Sequence, residues 1–571
     1  MDLHPSVTAR LDRLTPDQRA AATAPPGPIL CLAPAGSGKT TTLVARIAWL
    51  IATGTPPEVV AAIAFNKRAA DELAERVDAA LAPLDVAPGT VRIRTFHAFG
   101  REILRAAGRS VEPLLDRDAL LRRIVPGADP AQRRRLDTLF STLKLEHRVT
   151  AAEVAADHEA GPRARTFVAY ERALAESGGL DFDDLVAGAL ALLGTEPDHL
   201  GAWRSSCREL LVDEVQDVDR SQLELAFLLA APSHRIFLVG DDDQSIYGWR
   251  LADVRRVLAI AERLPGLRRH DLITNFRCPA PVVERAVRLV ERNQERFAKR
   301  IVARPGASGR LILAADASDD DDRARHVLAS WPDAADDDDR TTRAILARTN
   351  RALLPAAAVA LERGIPFRAE HLVLPLEDPR LEGILVRLVA EACSEPLLVR
   401  LGSIRREAEM DAADPGRVGD EGSDAPTPAG PSESPDAGDD RPSFDELLGT
   451  VLAWAAPYRD ADAFVTAVRE RRAALTAIRR DDARLTLATA HSTKGLEFDH
   501  VAVIDMDAGR FPSQRSLDDA DDPDRAMEEE RRLAYVAWTR ARRSLTLVYD
   551  PATPSPFMLE AFAPGELGLD A

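Results

Sequence analysis

The sequence predicts an α/β protein built on parallel sheets, and three observations carry that prediction. Short apolar runs end in glycine or in carboxylates: Ile29–Leu32 enters a Gly-rich turn, Glu209–Val212 runs into Asp213 and Glu214, and residues 236–239 run into Gly240 and Asp241. Helical periodicity follows the first of these turns over residues 41–51. Further strand-like runs at 344–347, 485–488 and 501–504 predict a second α/β unit. Buried strands that alternate with helices form parallel sheets, whose functional residues gather at the carboxyl ends of the strands.

Length and local composition divide the chain. At 571 residues it exceeds what one core supports, so several packed units are expected. Between 101 and 200 the strand pattern gives way to Arg-rich candidate helices at 119–124, 130–143 and 165–176, which read as a helical insert. Residues 411–442, rich in Pro, Gly, Ser and Asp, have the composition of a disordered linker. The expected division is a first core of 1–100 and 201–273, the helical insert 101–200, and a second core of 274–375 and 485–555. A short, partly disordered second insert spans 376–484, and a tail covers 556–571.

A net charge of −18 argues at first sight against a nucleic-acid partner. Two acidic stretches, 411–441 and 518–530, each contribute −7, which leaves the remainder near −4 and free to arrange a basic groove. The four cysteines are scattered with no CxxC pair, which argues against zinc knuckles and disulfide frameworks and for incidental thiols in a reducing compartment. No signal-peptide run opens the chain and no apolar stretch reaches membrane-spanning length, so a cytoplasmic protein without membrane contact is expected.

The segment Ala33-Pro34-Ala35-Gly36-Ser37-Gly38-Lys39-Thr40 fits a P-loop with Ala in place of the first Gly. Small residues let backbone N–H groups of Ala35, Gly36, Ser37 and Gly38 converge on phosphate oxygens, and the following helix adds its N-terminal dipole. Lys39 would contact the β and γ phosphates of ATP, and the Thr40 hydroxyl would ligate Mg²⁺. Asp213 would hold the same Mg²⁺ through water, while Glu214 would orient and deprotonate the attacking water. A P-loop kinase or GTPase uses similar parts, so the remaining segments must discriminate.

They do so by resemblance. Leu14-Thr15-Pro16-Asp17-Gln18, the P-loop and Val212-Asp213-Glu214-Val215-Gln216-Asp217 resemble the UvrD/Rep-like helicases of superfamily 1. Gly240 through Arg250, with Gln244, Tyr247 and Trp249, resembles their third motif, and Asn275-Phe276-Arg277 the fourth. Ala490-His491-Ser492-Thr493-Lys494-Gly495-Leu496-Glu497-Phe498 resembles the fifth, and residues 528–541, ending in Thr539-Arg540-Ala541, the sixth. A kinase or GTPase has no use for this aromatic third motif, and a non-catalytic regulator would not need Lys39, Asp213, Glu214, Gln244, Arg277 and Arg540 intact.

The resemblance implies two RecA-like P-loop cores with parallel sheets, a bound ATP and Mg²⁺, and single-stranded DNA and its junctions with duplex as partner. It also implies the site residues. Gln18 reads adenine and Phe276 stacks on it; Thr41 stands where the family often has an adenine-holding Arg. Gln244 senses the γ-phosphate, Arg277 and Arg540 act as arginine fingers, and Glu497 contacts the nucleotide sugar. Phe65, His97, Tyr247, Trp249 and His491 fall at DNA-contacting positions, whereas Phe96, Phe99 and Phe498 are expected in the core. The implied activity is an ATP-dependent 3′ to 5′ DNA helicase and translocase acting in repair or replication. An RNA-directed motor, or a translocase with little unwinding, is the alternative.

Overall fold

The computed structural model describes residues 3–331, 340–390, 395–413 and 444–569. Of the acidic linker expected at 411–442, residues 414–442 lie outside the described residues, as does Cys393. The chain divides into two compact units, 1–309 with 516–539, and 310–515 with 540–571.

The first unit is built on six strands, β1 Ile29–Leu32, β2 Val60–Ala64, β3 Arg92–Thr95, β4 Glu209–Val212, β5 Ile236–Gly240 and β6 Arg268–Asp271. They form one parallel sheet in the order β3-β2-β4-β5-β1-β6. Alternate residues of β1 serve opposite faces: Leu30 and Leu32 join one apolar cluster with Phe99, Leu185 and Val212, while Ile29 and Cys31 join another with Leu43, Ala62 and Val239. Burial on both faces explains why the inner strands β1, β2 and β5 are apolar runs in the sequence, while the edge strands β3 and β6 are polar and only partly buried. The helix Phe96–Ala106, capped by Thr95, packs closely on Phe182–Thr195, and a β-carbon at Gly100 would collide with the Leu185 carbonyl. Gly100 therefore sets the distance between these helices.

The insert has its own small core around Leu121, Phe140, Phe167 and Tyr170. Its helices Arg117–Ile124, Pro130–Ser141 and Pro162–Glu176 are close to those read from periodicity, and a π-helical turn over Thr142–His147 replaces the expected end of the second.

A short parallel pair, β7 Thr274–Asn275 and β8 Val302–Ala303, follows the first sheet. The second unit holds β9 Arg310–Ala315, β10 Arg343–Ala347, β11 Phe367–Arg368, β12 Leu485–Thr489, β13 Phe498–Val503 and β14 Ala541–Tyr549. These strands form a parallel sheet in the order β11-β12-β10-β13-β14-β9. The helices Pro379–Ala390, Leu397–Ala413, Phe444–Ala455 and Ala461–Ile478 of the second insert share a core through Leu381, Leu401, Leu448 and Phe464. The two parallel sheets are two RecA-like cores.

Two expected boundaries need correction. Residues 274–309, read as the start of the second core, belong to the first compact unit, and so does the helix Pro523–Trp538, read as part of 485–555. The reason is local. Asn275 and Phe276 hydrogen-bond to the P-loop backbone, and the helix Ala280–Val290 packs on Pro523–Trp538. The supposed tail is also packed: Phe557 and Met558 are buried, and the Tyr549 hydroxyl donates to the Leu567 carbonyl at 3.1 Å.

Candidate functional site

At the carboxyl end of β1 the chain makes the turn its glycines allow. Gly36 and Gly38 have φ of 67° and 82°, and Gly38 caps the helix Lys39–Ala52 without a side-chain acceptor for its first N–H groups. Space is as limiting as φ, because a β-carbon on Gly38 would lie 2.6 Å from Gln18 Nε2, and one on Gly36 2.8 Å from Arg277 Cβ. Ser37 is buried, yet its Oγ has no hydrogen-bond partner among the described residues. An orphaned hydroxyl beside uncapped helix N–H groups is a fit for phosphate oxygens.

Carboxylates surround the next residue. Lys39 Nζ pairs with Glu214 Oε2 at 2.7 Å. Burial would lower the ammonium pKa, but Glu214, Asp213 and Asp241 outweigh it, and the net shift is upward. Burial, with the neighbouring charge of Glu214, pushes the Asp213 carboxyl up. Glu214 sits at φ 49°, a left-handed conformation costly for a side chain with a β-carbon and common where function dictates geometry. Its carboxylate also accepts from Gln216 Nε2 at 2.6 Å, and Gln216 Oε1 accepts from the Asp241 amide at 2.9 Å. The acids ending β4 and β5 are thus joined through one glutamine. Thr40, partly exposed, and Asp213 fit Mg²⁺ as a hydroxyl and a carboxylate whose ionised form a cation would restore.

The predicted nucleotide residues divide between the units. Gln18 lies against the loop, donating to the Ser37 carbonyl at 2.8 Å and accepting from the Thr15 amide at 3.1 Å. Asn275 Nδ2 donates to the Ala35 carbonyl at 2.8 Å, and the Phe276 amide to that of Gly36 at 2.8 Å. This sets the Phe276 ring, exposed at 40%, and Arg277 beside the loop in the first unit. Arg277 Nη1 donates to the Thr539 carbonyl at 3.2 Å. Thr41 is exposed on the first helical turn. Arg540, Glu497 and His491 belong to the second unit, where Arg540 Nη1 donates to the Leu496 carbonyl at 3.2 Å and Glu497 pairs with Arg542. His491 is buried, its Nδ1 has no hydrogen-bond partner among the described residues, and burial together with Arg348 and Lys494 holds its pKa well below the usual value.

Beyond β5 the chain carries Gln244, whose Nε2 donates to Asp241 Oδ2 at 2.5 Å, and then an aromatic row. Phe65 and Tyr247 stack with centroids 5.0 Å apart, Tyr247 meets Trp249 edge-on at 6.2 Å, and the Arg250 guanidinium lies 5.0 Å from the Trp249 ring. His97 stacks on Phe182 at 3.8 Å, and burial pushes its imidazole pKa down to about 4. Phe96, Phe99 and Phe498 are core residues, as expected.

Residues 14–265 match the UvrD/REP helicase N-terminal domain, and residues 468–551 match the UvrD-like helicase C-terminal domain; together they cover more than half of the chain. The chain belongs to the UvrD/Rep-like helicases. It is 29% identical to DNA helicase II of Escherichia coli over 95% of this chain and 85% of that protein. It is 28% identical to the ATP-dependent DNA helicase Rep of Escherichia coli over 94% and 90%, and 28% identical to the ATP-dependent DNA helicase PcrA of Leuconostoc citreum over 91% and 80%. As a member of this family the chain is an ATP-dependent helicase.

Motif reading passed over two cations that pair with the acids at the end of β5. Lys299 Nζ lies among Asp241 at 2.8 Å, Asp243 at 2.9 Å and Asp242, and Arg296 grips Asp243 at 3.0 and 2.9 Å. The signal was in the composition. Only five of the 74 Lys and Arg residues are lysines, at 39, 67, 144, 299 and 494, so a lysine marks a place where guanidinium does not serve.

Proposed function

We propose that this helicase is a single-stranded DNA translocase that separates duplex strands with 3′ to 5′ polarity, in DNA repair or replication. One observation supports it above the others: residues 241–250 run from the buried acids at the end of β5, through Gln244, to Tyr247 and Trp249 of the aromatic row. In this reading ten residues carry both the γ-phosphate sensor and the base-stacking surface. Every base has a π-face, so such a row grips a strand without reading its sequence.

In this reading Lys39 and the backbone of residues 35–38 hold the phosphates. Thr40 and Asp213 hold Mg²⁺, which neutralises phosphate charge. Glu214, released from Lys39 when phosphate takes its place, orients and deprotonates the attacking water. Gln244 senses the γ-phosphate. Arg277 and Arg540 stabilise charge on the transferred phosphoryl oxygens, a contribution of roughly 10³ to 10⁵ in rate for such arginines. Gln18, Thr41 and Phe276 take the base and Glu497 the sugar. Phe65, His97, Tyr247, Trp249 and His491 take the strand, at a junction with duplex when unwinding. Nucleotide binding can move the motor only through different affinities for its conformations.

The test compares ATP hydrolysis with single-stranded DNA and with RNA of one sequence, followed by unwinding of duplexes bearing a 3′ or a 5′ tail. Stimulation by DNA and unwinding from the 3′ tail are expected. Equal or greater stimulation by RNA would overturn the DNA assignment, and unwinding from the 5′ tail the polarity.

A further inference from the structure

The turn between Tyr247 and Trp249 is held by a carboxylate with no part in the nucleotide chemistry described above. Glu529, on the helix Pro523–Trp538, accepts the Gly248 amide proton through Oε1 at 2.9 Å. Gly248 opens the short 3₁₀ turn Gly248–Arg250, and its φ is not positive, so backbone conformation does not require glycine there. Space does. A β-carbon at this position would lie 2.5 Å from Glu529 Oε2 and 2.8 Å from Oε1. The hydrogen bond and the space left by the missing side chain describe one close approach, which a side chain at 248 would push away.

The helix that carries Glu529 is itself held in place. Its neighbour Glu528 accepts from the amides of Gln294 and Glu295 at 2.6 and 3.1 Å, Arg531 donates to Asn293 Oδ1 at 2.6 Å, and Arg525 pairs with Asp253 at 2.6 Å. The loop these residues grip continues to Arg296 and Lys299, which hold Asp241, Asp242 and Asp243. The third-motif segment is thus anchored at its acidic end by the loop and at its aromatic end by Glu529. Both anchors are tied to one helix.

We propose that Glu529 is a positioning residue for strand binding: by holding the Gly248 amide it sets the angle at which Tyr247 and Trp249 meet the bases, and links strand occupancy to the helix Pro523–Trp538. This rests on the reading of the aromatic row as a DNA grip. Glu529 contacts neither nucleotide nor strand in this scheme; it acts through the backbone between two rings.

The experiment follows ATP hydrolysis by the full chain against the concentration of oligo-dT. Glu529→Ala should raise the DNA concentration for half-maximal stimulation about five- to tenfold, the scale of one lost hydrogen bond, while hydrolysis without DNA changes less than about twofold. Glu529→Gln keeps an acceptor oxygen and should stay within about twofold of the unaltered protein. Gly248→Ala reads the same contact from the other side and should match Glu529→Ala. The double variant should be no worse than either single change, because one contact is lost in all three. Failure of oligo-dT to stimulate the unaltered protein would overturn the DNA reading and this proposal with it. Normal stimulation that Glu529→Ala leaves at its original half-point, or additive losses in the double variant, would overturn the proposal alone. Should Glu529→Ala fold poorly by thermal melting, an unaltered half-point in Gly248→Ala overturns it equally.

Discussion

The phosphate loop and the helical insert each bury a lysine, and they treat it in opposite ways. In the insert, Lys144 Nζ meets three carboxylates, Asp181 at 2.8 Å, Asp184 at 2.7 Å and Glu171 at 2.8 Å. The Tyr170 hydroxyl and Arg117 complete the shell of Asp181, both at 2.7 Å. At the phosphate loop, Lys39 has one ion-pair partner among the described residues, Glu214, and is more exposed, 14% against 5%. An ammonium has three donors. Three carboxylates saturate it and leave nothing for a ligand, whereas one leaves donors aimed into the site. Lys299, with its three aspartates, follows the pattern of the insert although it lies beside the nucleotide site. On the proposed phosphate role of Lys39, saturation separates a lysine that holds the fold from one with donors left for an anion.

The largest effects are expected at the open lysine. Lys39→Ala should reduce DNA-stimulated ATP hydrolysis by roughly 10³ or more, because phosphate charge loses its partner in the transition state. Glu214→Gln should bind nucleotide within about threefold of the unaltered protein yet lose turnover to a similar extent, since an amide cannot take the proton. Phosphate release paired with nucleotide titration checks both. Normal turnover in either variant would place the hydrolytic centre elsewhere and remove the contrast between the lysines.

Lys144→Met should act on stability instead. Removing one partner from a buried ion cluster leaves Asp184 and Glu171 without their cation and Asp181 with Arg117 alone, a loss of about 3 to 5 kcal/mol. Thermal melting should fall by several degrees, while nucleotide affinity well below the melting range should stay unchanged. A variant that melted normally but bound ATP poorly would show the insert cluster to be part of the site.

Smaller still is the expected effect of Trp249→Ala, which removes one stacking surface and should weaken single-stranded DNA binding by about 1 to 3 kcal/mol. Titrations with oligo-dT, oligo-dA and mixed sequence should show the same loss. Selective loss on one of them would mean that Trp249 takes part in reading bases.

Much of this was legible in the sequence, for identifiable reasons. The strands at 29–32 and 210–212 announce themselves because a sheet covered on both faces favours unbroken apolar residues. The loop at 33–40 is legible because backbone convergence on phosphate demands small residues in order. The boundary near 274 was not, since residues 274–309 are tied to the first unit by Asn275 and Phe276 donating to backbone carbonyls, contacts with no periodicity. The anchoring of Gly248 by Glu529 was equally hidden, because 281 residues separate the partners. Lys299 left only a compositional trace, its rarity among arginines.

The contrast between compensated and uncompensated charge extends to a carboxylate that no ligand role explains. Asp219 caps the helix Arg220–Ala230, accepting from the Gln222 amide at 2.9 Å, and is buried. Burial pushes its carboxyl up to about 7; Asp183 and Glu146 add to the shift, and the Gln222 amide and Arg256 oppose it. Because the folded pKa exceeds the unfolded one, the folded chain keeps a proton that the unfolded chain releases, and stability falls as pH rises from about 4 to about 7. Asn caps a helix as well as Asp does and has no proton to lose. Asp219→Asn should therefore stabilise the protein on the order of 1 to 2 kcal/mol at pH 8, with the advantage shrinking as pH falls toward 5. Melting curves for the two proteins at pH 5, 6.5 and 8 measure it. A gain independent of pH would mean that shape at the cap, not uncompensated charge, limits this corner of the fold.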